Sequence, residues 1–293
     1  MRETLVFFFY LFTCLVLGAL FTYPLMQTGW IQHDPHRMMG RLAQIFILLG
    51  LWPFLRVMDL DDRRMLGFGI SCPRFLGALW RGWLLGVAIL LALVLNLMLL
   101  ETRVLDAAKE DWLPGLVGKS IRCLIGGLSI GLLEECFFRG ALYSAIRRDG
   151  AVRSAVFWSS LLYALLHFMK PHALPEGVAF DCTGAWWMFV HVFAGAFQWK
   201  HLDSMAALFL AGVLLALVRE RCGHIGWCSG LHAGWVFVIQ VARYLTDGNG
   251  ASSSAWLVGG YDGIIGWLAA AWIGLLALGF WLFAWPKKRE LRA

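Results

Sequence analysis

The sequence has 293 residues, of which 60% are hydrophobic and only 15% are charged, and its mean hydropathy is +0.68. A soluble domain is nearer to half apolar and a quarter charged, so this composition excludes an ordinary soluble protein and predicts a polytopic helical membrane protein. The formal net charge is a modest +6. No basic run is interleaved with aromatic residues, so the sequence lacks the usual pattern of a nucleic-acid-binding protein.

Seven cysteines are scattered along mostly apolar stretches, and no C-x-x-C pair occurs among them. An odd number without such a pair argues against both a disulfide framework and a zinc-knuckle site. We therefore interpret the cysteines as small apolar packing residues. The sixteen tryptophans are typical of a protein with two membrane–water interfaces.

We interpret eight apolar stretches as membrane-spanning helices of an all-α bundle. In chain order they cover approximately residues 5–25, 42–58, 83–100, 121–146, 154–169, 205–218, 225–245 and 264–284. The first stretch is longer than the apolar core of a signal peptide, roughly 7–15 residues, so we expect it to be retained. The linker 101–119 mixes acids and bases, and we predict that it lies as an amphipathic helix on the membrane surface.

Loop charges predict how these spans are oriented. The loop that follows the second span is rich in arginine, with Arg56, Arg63, Arg64, Arg74 and Arg81. The positive-inside rule places this loop in the cytoplasm. Alternation then puts both termini, the turn 147–153, the segment 219–221 and the tail 287–289 in the cytoplasm, and the loop 247–254 outside. This holds if the aromatic segment 186–199 does not cross, so we expect that segment to be interfacial or re-entrant on the outer side.

Ionisable residues lie inside three of the predicted spans: Glu134 and Glu135, then His167, then His232. An ionised group at membrane depth costs at least about 2.5 kcal/mol, so such residues mark a functional site by default. Glu135 and Arg139 are four residues apart, share one helical face and can neutralise each other. Glu134 points about 100° away and is free for another partner. We therefore expect Glu134 to be catalytic and the Glu135–Arg139 pair to position it.

This set of side chains predicts hydrolytic chemistry. A buried carboxylate and a buried imidazole that face one water can deprotonate it and then protonate a leaving amine. A second imidazole can donate a hydrogen bond to the oxyanion of a tetrahedral intermediate, an interaction worth about 3–4 kcal/mol. The alternative is a structural Glu–Arg pair that only locks two helices together.

The order of these residues resembles the CPBP family, which comprises the CAAX prenyl proteases and the bacteriocin-processing or bacteriocin-immunity (Abi) proteins. The resemblance depends on the Glu-Glu-x-x-x-Arg motif at 134–139, on the Tyr-x-x-x-His motif at 163–167 and on His232 near the start of a later helix. It covers roughly residues 120–245. It implies a glutamate-centred intramembrane endopeptidase on a bundle of eight or so helices.

The resemblance also implies roles for individual residues. Glu134 and His167 would activate the water, and His232 would help to hold the oxyanion. The family's third motif usually has Asn or Asp four residues after its histidine, whereas this chain has Val236, which cannot donate a hydrogen bond. Either Ser229, which lies on the same helical face as His232, substitutes for that group, or the enzyme is slow or inactive.

Metal dependence is a separate alternative. Glu134, His167 and His232 offer one oxygen and two nitrogen ligands, a set that can hold zinc with one position open for water. No His-Glu-x-x-His pair occurs, so we favour the metal-free mechanism and expect no cofactor. His191 is interpreted as a solvated residue, with a place in a lid over the site as the alternative.

We divide the chain into N-terminal helices and linker (1–118), a CPBP-like catalytic core (119–245) and a C-terminal helix with a basic tail (246–293). The expected function is hydrolysis of a peptide bond near a membrane face, in the C-terminal processing of membrane-associated or lipidated proteins. The expected partners are membrane lipid and a peptide or protein substrate, and the expected location is the bacterial inner membrane. The alternatives are a zinc-dependent protease with the same residues and a catalytically impaired relative that acts as an immunity or scaffolding factor.

Overall fold

The computed structural model describes residues 2–29, 33–106, 112–194 and 198–284, and most of these residues are helical. The helices are α1 (Arg2–Gln27), α2 (Pro35–Val57), α3 (Cys72–Leu99), α4 (Trp112–Glu135), α5 (Tyr143–Asp149), α6 (Val152–Phe168), α7 (Cys182–His191), α8 (Leu202–Cys222), α9 (Gly226–Leu245) and α10 (Trp267–Ala284). A π-helical segment, Cys136–Leu142, joins α4 to α5 without a break. The predicted all-α class is therefore confirmed, while the predicted basic tail at 287–289 lies outside the described residues.

Five helical stretches are long and apolar enough to cross a membrane. They are Arg2–Gln27, Pro35–Val57, Cys72–Leu99, Leu113–Arg148 and Trp199–Cys222. Large apolar side chains on them, such as Leu49, Leu84 and Ile125, are more than half exposed, as expected of groups that face lipid. The helices α6 and α10 are also apolar but shorter. The chain is a multi-pass membrane protein.

Glycines allow α9 to pack closely between α3 and α4. A Cβ atom at Gly230 would overlap the backbone carbonyl oxygen of Leu79 on α3. On the other side, a Cβ at Gly131 of α4 would lie only 3.0 Å from the backbone nitrogen of Ala233. The predicted packing role of the glycine repeat at 226, 230 and 234 is confirmed, because each of these glycines lies against the backbone of α3.

At one end of the bundle, α3 and α9 finish side by side. Strand β1 (Arg103–Leu105) follows α3 and pairs antiparallel with β2 (Thr246–Gly248), which follows α9. The Arg103 side chain is only 5% exposed and donates hydrogen bonds to Thr246 Oγ1 at 2.6 Å and to the Gly263 carbonyl at 2.7 Å. We call this the strand end of the bundle.

At the opposite end, the turn before α3 is fastened to the start of α9. The Ile225 amide donates to the Gly67 carbonyl at 3.1 Å. Arg219, near the end of α8, donates to the Met65 carbonyl at 3.0 Å and to the Arg139 carbonyl at 3.1 Å. We call this the Arg219 end of the bundle.

The predicted amphipathic helix over the linker 101–119 is wrong. The structure has β1 at Arg103–Leu105, residues 107–111 lie outside the described part of the chain, and α4 begins at Trp112. The strand exists because β2, far away in the sequence, supplies its backbone partners, and no local pattern reveals such a partner.

The predicted start of the third span is also too late. The helix α3 begins at Cys72, so Arg74 and Arg81 lie within a helix rather than in the preceding loop. Pro73 is in the first turn, where a missing backbone N–H costs nothing. The arginines continue the helix beyond its apolar core because their long side chains can reach the membrane surface.

The aromatic segment 186–199 contributes to a short helix, α7, that packs on α1. The Asp181 side chain caps this helix by accepting the Gly184 N–H at 2.7 Å, and it also accepts the Thr183 hydroxyl at 2.7 Å. The hydrogen bond from Thr183, followed by that from Gly184, holds the pKa of the Asp181 carboxyl below its usual range. Its ten residues are half of the roughly 20 that a membrane span needs. Residues 195–197 lie outside the described residues.

The close contact between α3 and α9 predicts an asymmetric response to two Gly→Ala changes. We expect Gly230→Ala to lower the free energy of unfolding by about 2–3 kcal/mol, because the new methyl group meets backbone that cannot move aside. Gly77→Ala on α3, where nothing lies within 4 Å, is the matched control and should not be destabilising. Unfolding of the detergent-solubilised protein measures both, and equal stabilities would contradict the contact.

Candidate active site

Of the two adjacent acids, Glu135 is the one that accepts hydrogen bonds from neighbouring side chains. It is fully buried at the end of α4. Its Oε1 accepts a hydrogen bond from Arg139 Nη1 at 3.0 Å and another from His232 Nδ1 at 2.9 Å. The pairing of Glu135 with Arg139 is the one that their spacing predicts. The contact with His232 joins α9 to α4, which the sequence alone does not show.

Arg139 carries this connection to two further helices. It is fully buried, its Nη2 donates to the Gly212 carbonyl of α8 at 3.2 Å, and its guanidinium lies 4.5 Å from the ring centre of Tyr163 on α6. The residue belongs to the π-helical segment, a rare geometry that occurs frequently at functional sites. One buried ion pair thus connects its own helical segment to three other helices, α6, α8 and α9.

Glu134 points to the other side of His232. Its side chain is 28% exposed, and its Oε2 lies 3.9 Å from His232 Nε2. That oxygen is buried and has no hydrogen-bond partner among the described residues. Because a carboxylate can only accept, His232 Nδ1 carries the proton that it donates to Glu135, so Nε2 of a neutral ring presents its lone pair towards Glu134.

His167 has a comparable arrangement at the end of α6. Its Nδ1 lies 2.8 Å from the Tyr163 carbonyl oxygen, which can only accept, so Nδ1 is the donor. The ring centres of His167 and His232 lie 4.5 Å and 6.0 Å from that of Tyr163. One tyrosine ring therefore contacts both imidazoles, and each imidazole is held through Nδ1 with Nε2 left free.

A cavity of about 300 Å³ lies beside these rings. His167, His232 and Tyr163 all line it, whereas Glu134 does not and reaches the site through its approach to His232. Val236 forms part of the cavity wall, so the apolar residue at this motif position does face the site. The structure thus brings Glu134 and both histidines to one region of the bundle interior.

Two other residues considered from the sequence lie away from the cavity. Ser229 is fully buried, its hydroxyl has no partner among the described residues, and it is not part of the cavity lining. This position does not favour it as an oxyanion donor. The ring of His191 stacks on Trp187 at 3.6 Å on α7, so His191 does not cover the cavity.

The described residues contain no group of three or more His, Cys, Asp or Glu side chains arranged to hold a metal ion. Glu134, His167 and His232 therefore do not fit a shared zinc site in this arrangement.

All seven cysteines are free thiols. Cys14, Cys123 and Cys228 are buried, as expected of packing residues, whereas this interpretation is wrong for Cys72 and Cys182, which are exposed in the first turns of α3 and α7.

The sequence did not single out the polar residues that line the far part of the cavity. They are Lys170, Gln240, Arg243, Tyr261 and Asp262. The sequence could have predicted only the two residues on α9. Gln240 and Arg243 follow His232 at spacings that place them near the same face of the helix. The other three come from segments outside the predicted spans, where no periodicity places a side chain.

Several apolar helices that enclose a glutamate and two histidines define a multi-pass membrane protein with a polar site inside its bundle. Residues 117–238 match the family described as type II CAAX prenyl endopeptidase, Rce1-like, and this part of the chain is a domain of that protease family. The match confirms the resemblance to the CPBP family, and it contains Glu134, His167 and His232. No curated protein and no solved structure matches the chain.

The different surroundings of the adjacent acids predict a large loss of stability on removal of one acid and a small effect on removal of the other. We expect Glu135→Ala to lower the free energy of unfolding by about 3–5 kcal/mol, because it leaves Arg139 charged, buried and without its carboxylate. Glu134→Ala removes a partly exposed side chain that has no hydrogen bond at Oε2, so its effect should stay within about 1 kcal/mol. Detergent-phase unfolding of the two variants distinguishes them, and similar losses would refute the assignment of Glu135 as the structural acid.

Proposed function

We propose that the chain is an intramembrane endopeptidase that hydrolyses a peptide bond near one membrane face. The observation that carries the proposal is the 3.9 Å approach of Glu134 Oε2 to His232 Nε2, beside a cavity that His167 also lines. Membership of residues 117–238 in a protease family supports the same conclusion.

The spacing of Glu134 and His232 suits a bridging water. Two atoms 3.9 Å apart can both lie within hydrogen-bond distance of one water placed beside the line that joins them. Such a water donates one hydrogen to the carboxylate and the other to the lone pair on Nε2. Its oxygen is then directed away from both groups, where a substrate carbonyl in the cavity can meet it.

The reaction follows from this placement. The water oxygen forms a bond to the carbonyl carbon while one of its protons passes to Glu134, and the carbonyl oxygen becomes an oxyanion. The tetrahedral intermediate then collapses, the C–N bond breaks, and Glu134 returns the proton to the departing amine. The products are a carboxylic acid and an amine, and the carboxylate of Glu134 is regenerated.

The two histidines have different roles in this reaction. His232, nearer to Glu134, shares the water, whereas His167 can donate from Nε2 to the oxyanion when its ring carries a second proton. This assignment exchanges the roles that the family resemblance implies for the two rings. Glu135 and Arg139 act as positioning residues, because Glu135 fixes the tautomer and orientation of His232.

The substrate proposal follows the family. We propose C-terminal processing of membrane-associated or lipidated proteins, with membrane lipid as the second partner and no nucleic acid. The proposed mechanism needs neither zinc nor another cofactor, since the carboxylate itself takes the proton from water. The location in a bacterial inner membrane stays a prediction.

A second candidate is a catalytically impaired protein that acts as an immunity or scaffolding factor. The apolar Val236 in the cavity wall favours it, because that position gives the oxyanion no hydrogen bond. The burial of Ser229 away from the cavity removes one substitute. In this case neither the wild type nor its site variants would cleave proteins, and cells that express them would contain the same protein termini.

We further propose eight membrane spans, α1, α2, α3, α4 with α5, α6, α8, α9 and α10, and cytoplasmic termini. The two ends of the bundle support this alternation. Arg219 and the turn that holds Gly67 meet at one end, and β1 and β2 meet at the other. The Arg219 end also contains Arg147, which pairs with Glu220, so the excess of arginines favours the cytoplasm for this end.

Loss of processing is the expected result of removing the proposed catalytic groups. Glu134→Ala, His167→Ala and His232→Gln should each lower the rate of cleavage by about 10²- to 10⁴-fold, the usual contribution of a general acid–base group. Mass spectrometry of membrane-protein C termini measures this in cells that express each variant. Glu176→Ala, an exposed acid, and His191→Ala, outside the cavity, are the matched controls.

Identical termini in the wild type and all three site variants would exclude catalysis and leave the scaffolding function. A chelator added to the active, purified protein separates the mechanisms. Retained activity is the outcome expected of the metal-free reaction, and loss that zinc restores would replace it with the zinc-dependent alternative.

The proposed orientation predicts the side of each end of the bundle. A reporter fused after Met169, beyond the end of α6, should be outside the cytoplasm, because α6 leads from the Arg219 end towards the strand end. The same reporter fused after Gly223 should be cytoplasmic. A cytoplasmic reporter at Met169 would overturn the proposed orientation.

A further inference from the structure

The cavity follows one face of α9 from the histidine site towards the strand end. His232, Val236, Ile239, Gln240 and Arg243 all line it. A residue eleven positions further along an α-helix lies about 16 Å away and is rotated by only about 20°, so His232 and Arg243 share one face. The same groove therefore has a catalytic imidazole at one end and a guanidinium at the other.

Arg243 is a cation that the described part of the chain leaves without a partner. Its side chain makes no hydrogen bond or ion pair to the described residues, and the guanidinium of Arg103 is close enough to interact with it electrostatically. Gln240, one turn closer to His232, likewise makes no hydrogen bond to the described residues. A groove lined by such free donors is suited to an acceptor that comes from outside the chain.

Lys170, two residues after the end of α6, adds a second positive charge. It lies just beyond His167, and its Nζ donates to Tyr261 Oη at 2.9 Å and sits 4.7 Å from the centre of that ring. The Tyr261 ring in turn lies 6.4 Å from the ring of His167. The ammonium group is therefore held over the cavity by a contact that leaves its other protons free.

One acid, Asp262, also lines this part of the cavity. Its Oδ1 accepts the backbone N–H groups of Ile264 at 2.9 Å and Ile265 at 2.7 Å. It is also close enough to the buried Arg103 to act on that guanidinium. Asp262 therefore accepts hydrogen bonds from the chain itself. Among the charged residues that line this part of the cavity, Lys170 and Arg243 are cations and Asp262 is the anion.

We propose that Lys170 and Arg243 form a subsite that binds a carboxylate of the peptide substrate. The subsite belongs to the same continuous cavity as His167 and His232, so the molecule that occupies it is the one whose peptide bond lies at the histidines. An arginine and a lysine at a partly enclosed site match a carboxylate through short, charge-assisted hydrogen bonds. This inference rests on the proposed proteolytic function.

The geometry also sets where the carboxylate lies in the substrate. An extended peptide advances about 3.3–3.6 Å per residue, and the arginine side chain leans back towards the start of its helix. The distance of about 16 Å along α9 therefore corresponds to about three to five residues between the scissile bond and the carboxylate. The carboxylate is either the substrate's C terminus or an acidic side chain at that position.

Matched peptide pools test this subsite. The probe is a pool of peptides with an N-terminal fatty acyl anchor and a randomised sequence, made with a free C-terminal carboxylate, with a C-terminal amide, and as an amide with one added Asp. Full-length protein in phosphatidylcholine nanodiscs is incubated with each pool, and products are identified by mass spectrometry. The quantity measured is the ratio of cleavage between carboxylate-bearing and neutral peptides.

The wild type should favour the carboxylate-bearing peptides by about tenfold or more, the effect of one charge-assisted hydrogen bond. In the double variant Lys170→Gln, Arg243→Gln the ratio should fall to about one. Arg74→Gln, an exposed arginine near the start of α3 and at the far end from β1, is the control and should keep the wild-type ratio. The free-acid and Asp-containing pools show which carboxylate source is used.

Three results would overturn the subsite: no preference in the wild type, a preference that survives in the double variant, or a preference abolished by phosphatidylglycerol nanodiscs, which would make a lipid phosphate the ligand. Binding of the pools to Glu134→Gln protein distinguishes this failure from that of the proteolytic function. Carboxylate-dependent binding that the double variant loses would support the subsite even without cleavage. Equal binding of all pools would exclude it even if cleavage occurs.

Discussion

Glu135 brings a negative charge into an apolar bundle, and the neighbouring helices are arranged around its neutralisation. Its Oε1 accepts from Arg139 and from His232, so the charge is satisfied only when α9 lies in one register against the end of α4. Removing an ionised carboxylate from water costs several kcal/mol, which such contacts must offset. The penalty for any other register of α9 is therefore a buried charge without a partner.

The same contact prepares the reactive side of the site. Once Glu135 holds His232 through Nδ1, the free Nε2 must point the other way, towards Glu134. The adjacent acids thus have different roles: Glu135 is held by hydrogen bonds to the protein, and Glu134 is available to bind water. The glycines of α3 and α4 make this possible because they let α9 approach closely enough for the imidazole to reach α4.

The π-helical segment extends the arrangement beyond the acids. It turns Arg139 towards the Gly212 carbonyl of α8 and over the ring of Tyr163 on α6. Tyr163 then contacts both imidazoles. A single network of charge, hydrogen bonds and ring contacts therefore sets the relative positions of α4, α6, α8 and α9.

Much of this arrangement could be predicted from the sequence where the relevant signal is local. Apolar stretches placed a helix at each of the eight predicted spans, and the spacing of Glu135 and Arg139 gave their pairing. The contact between Glu135 and His232 could not be derived, because the two residues are far apart along the chain. For the same reason β1 was missed, since its partner strand follows α9.

The direction in which side chains point is the second feature that could not be predicted from the sequence. Ser229 shares a helical face with His232 by spacing, yet it is fully buried and does not line the cavity. Lys170 and Tyr261 line the cavity from segments whose shape depends on tertiary contacts alone. Periodicity can assign a residue to a face of a helix, but only the packing of neighbouring helices decides which face borders the cavity.

Hydrolysis in water labelled with oxygen-18 tests the central proposition, that Glu134 activates a water for attack on a peptide bond. The wild-type protein should produce new C termini that carry one labelled oxygen, and these should be missing with Glu134→Gln. The same labelled termini from both proteins, or none from either, would contradict the proposed role of Glu134.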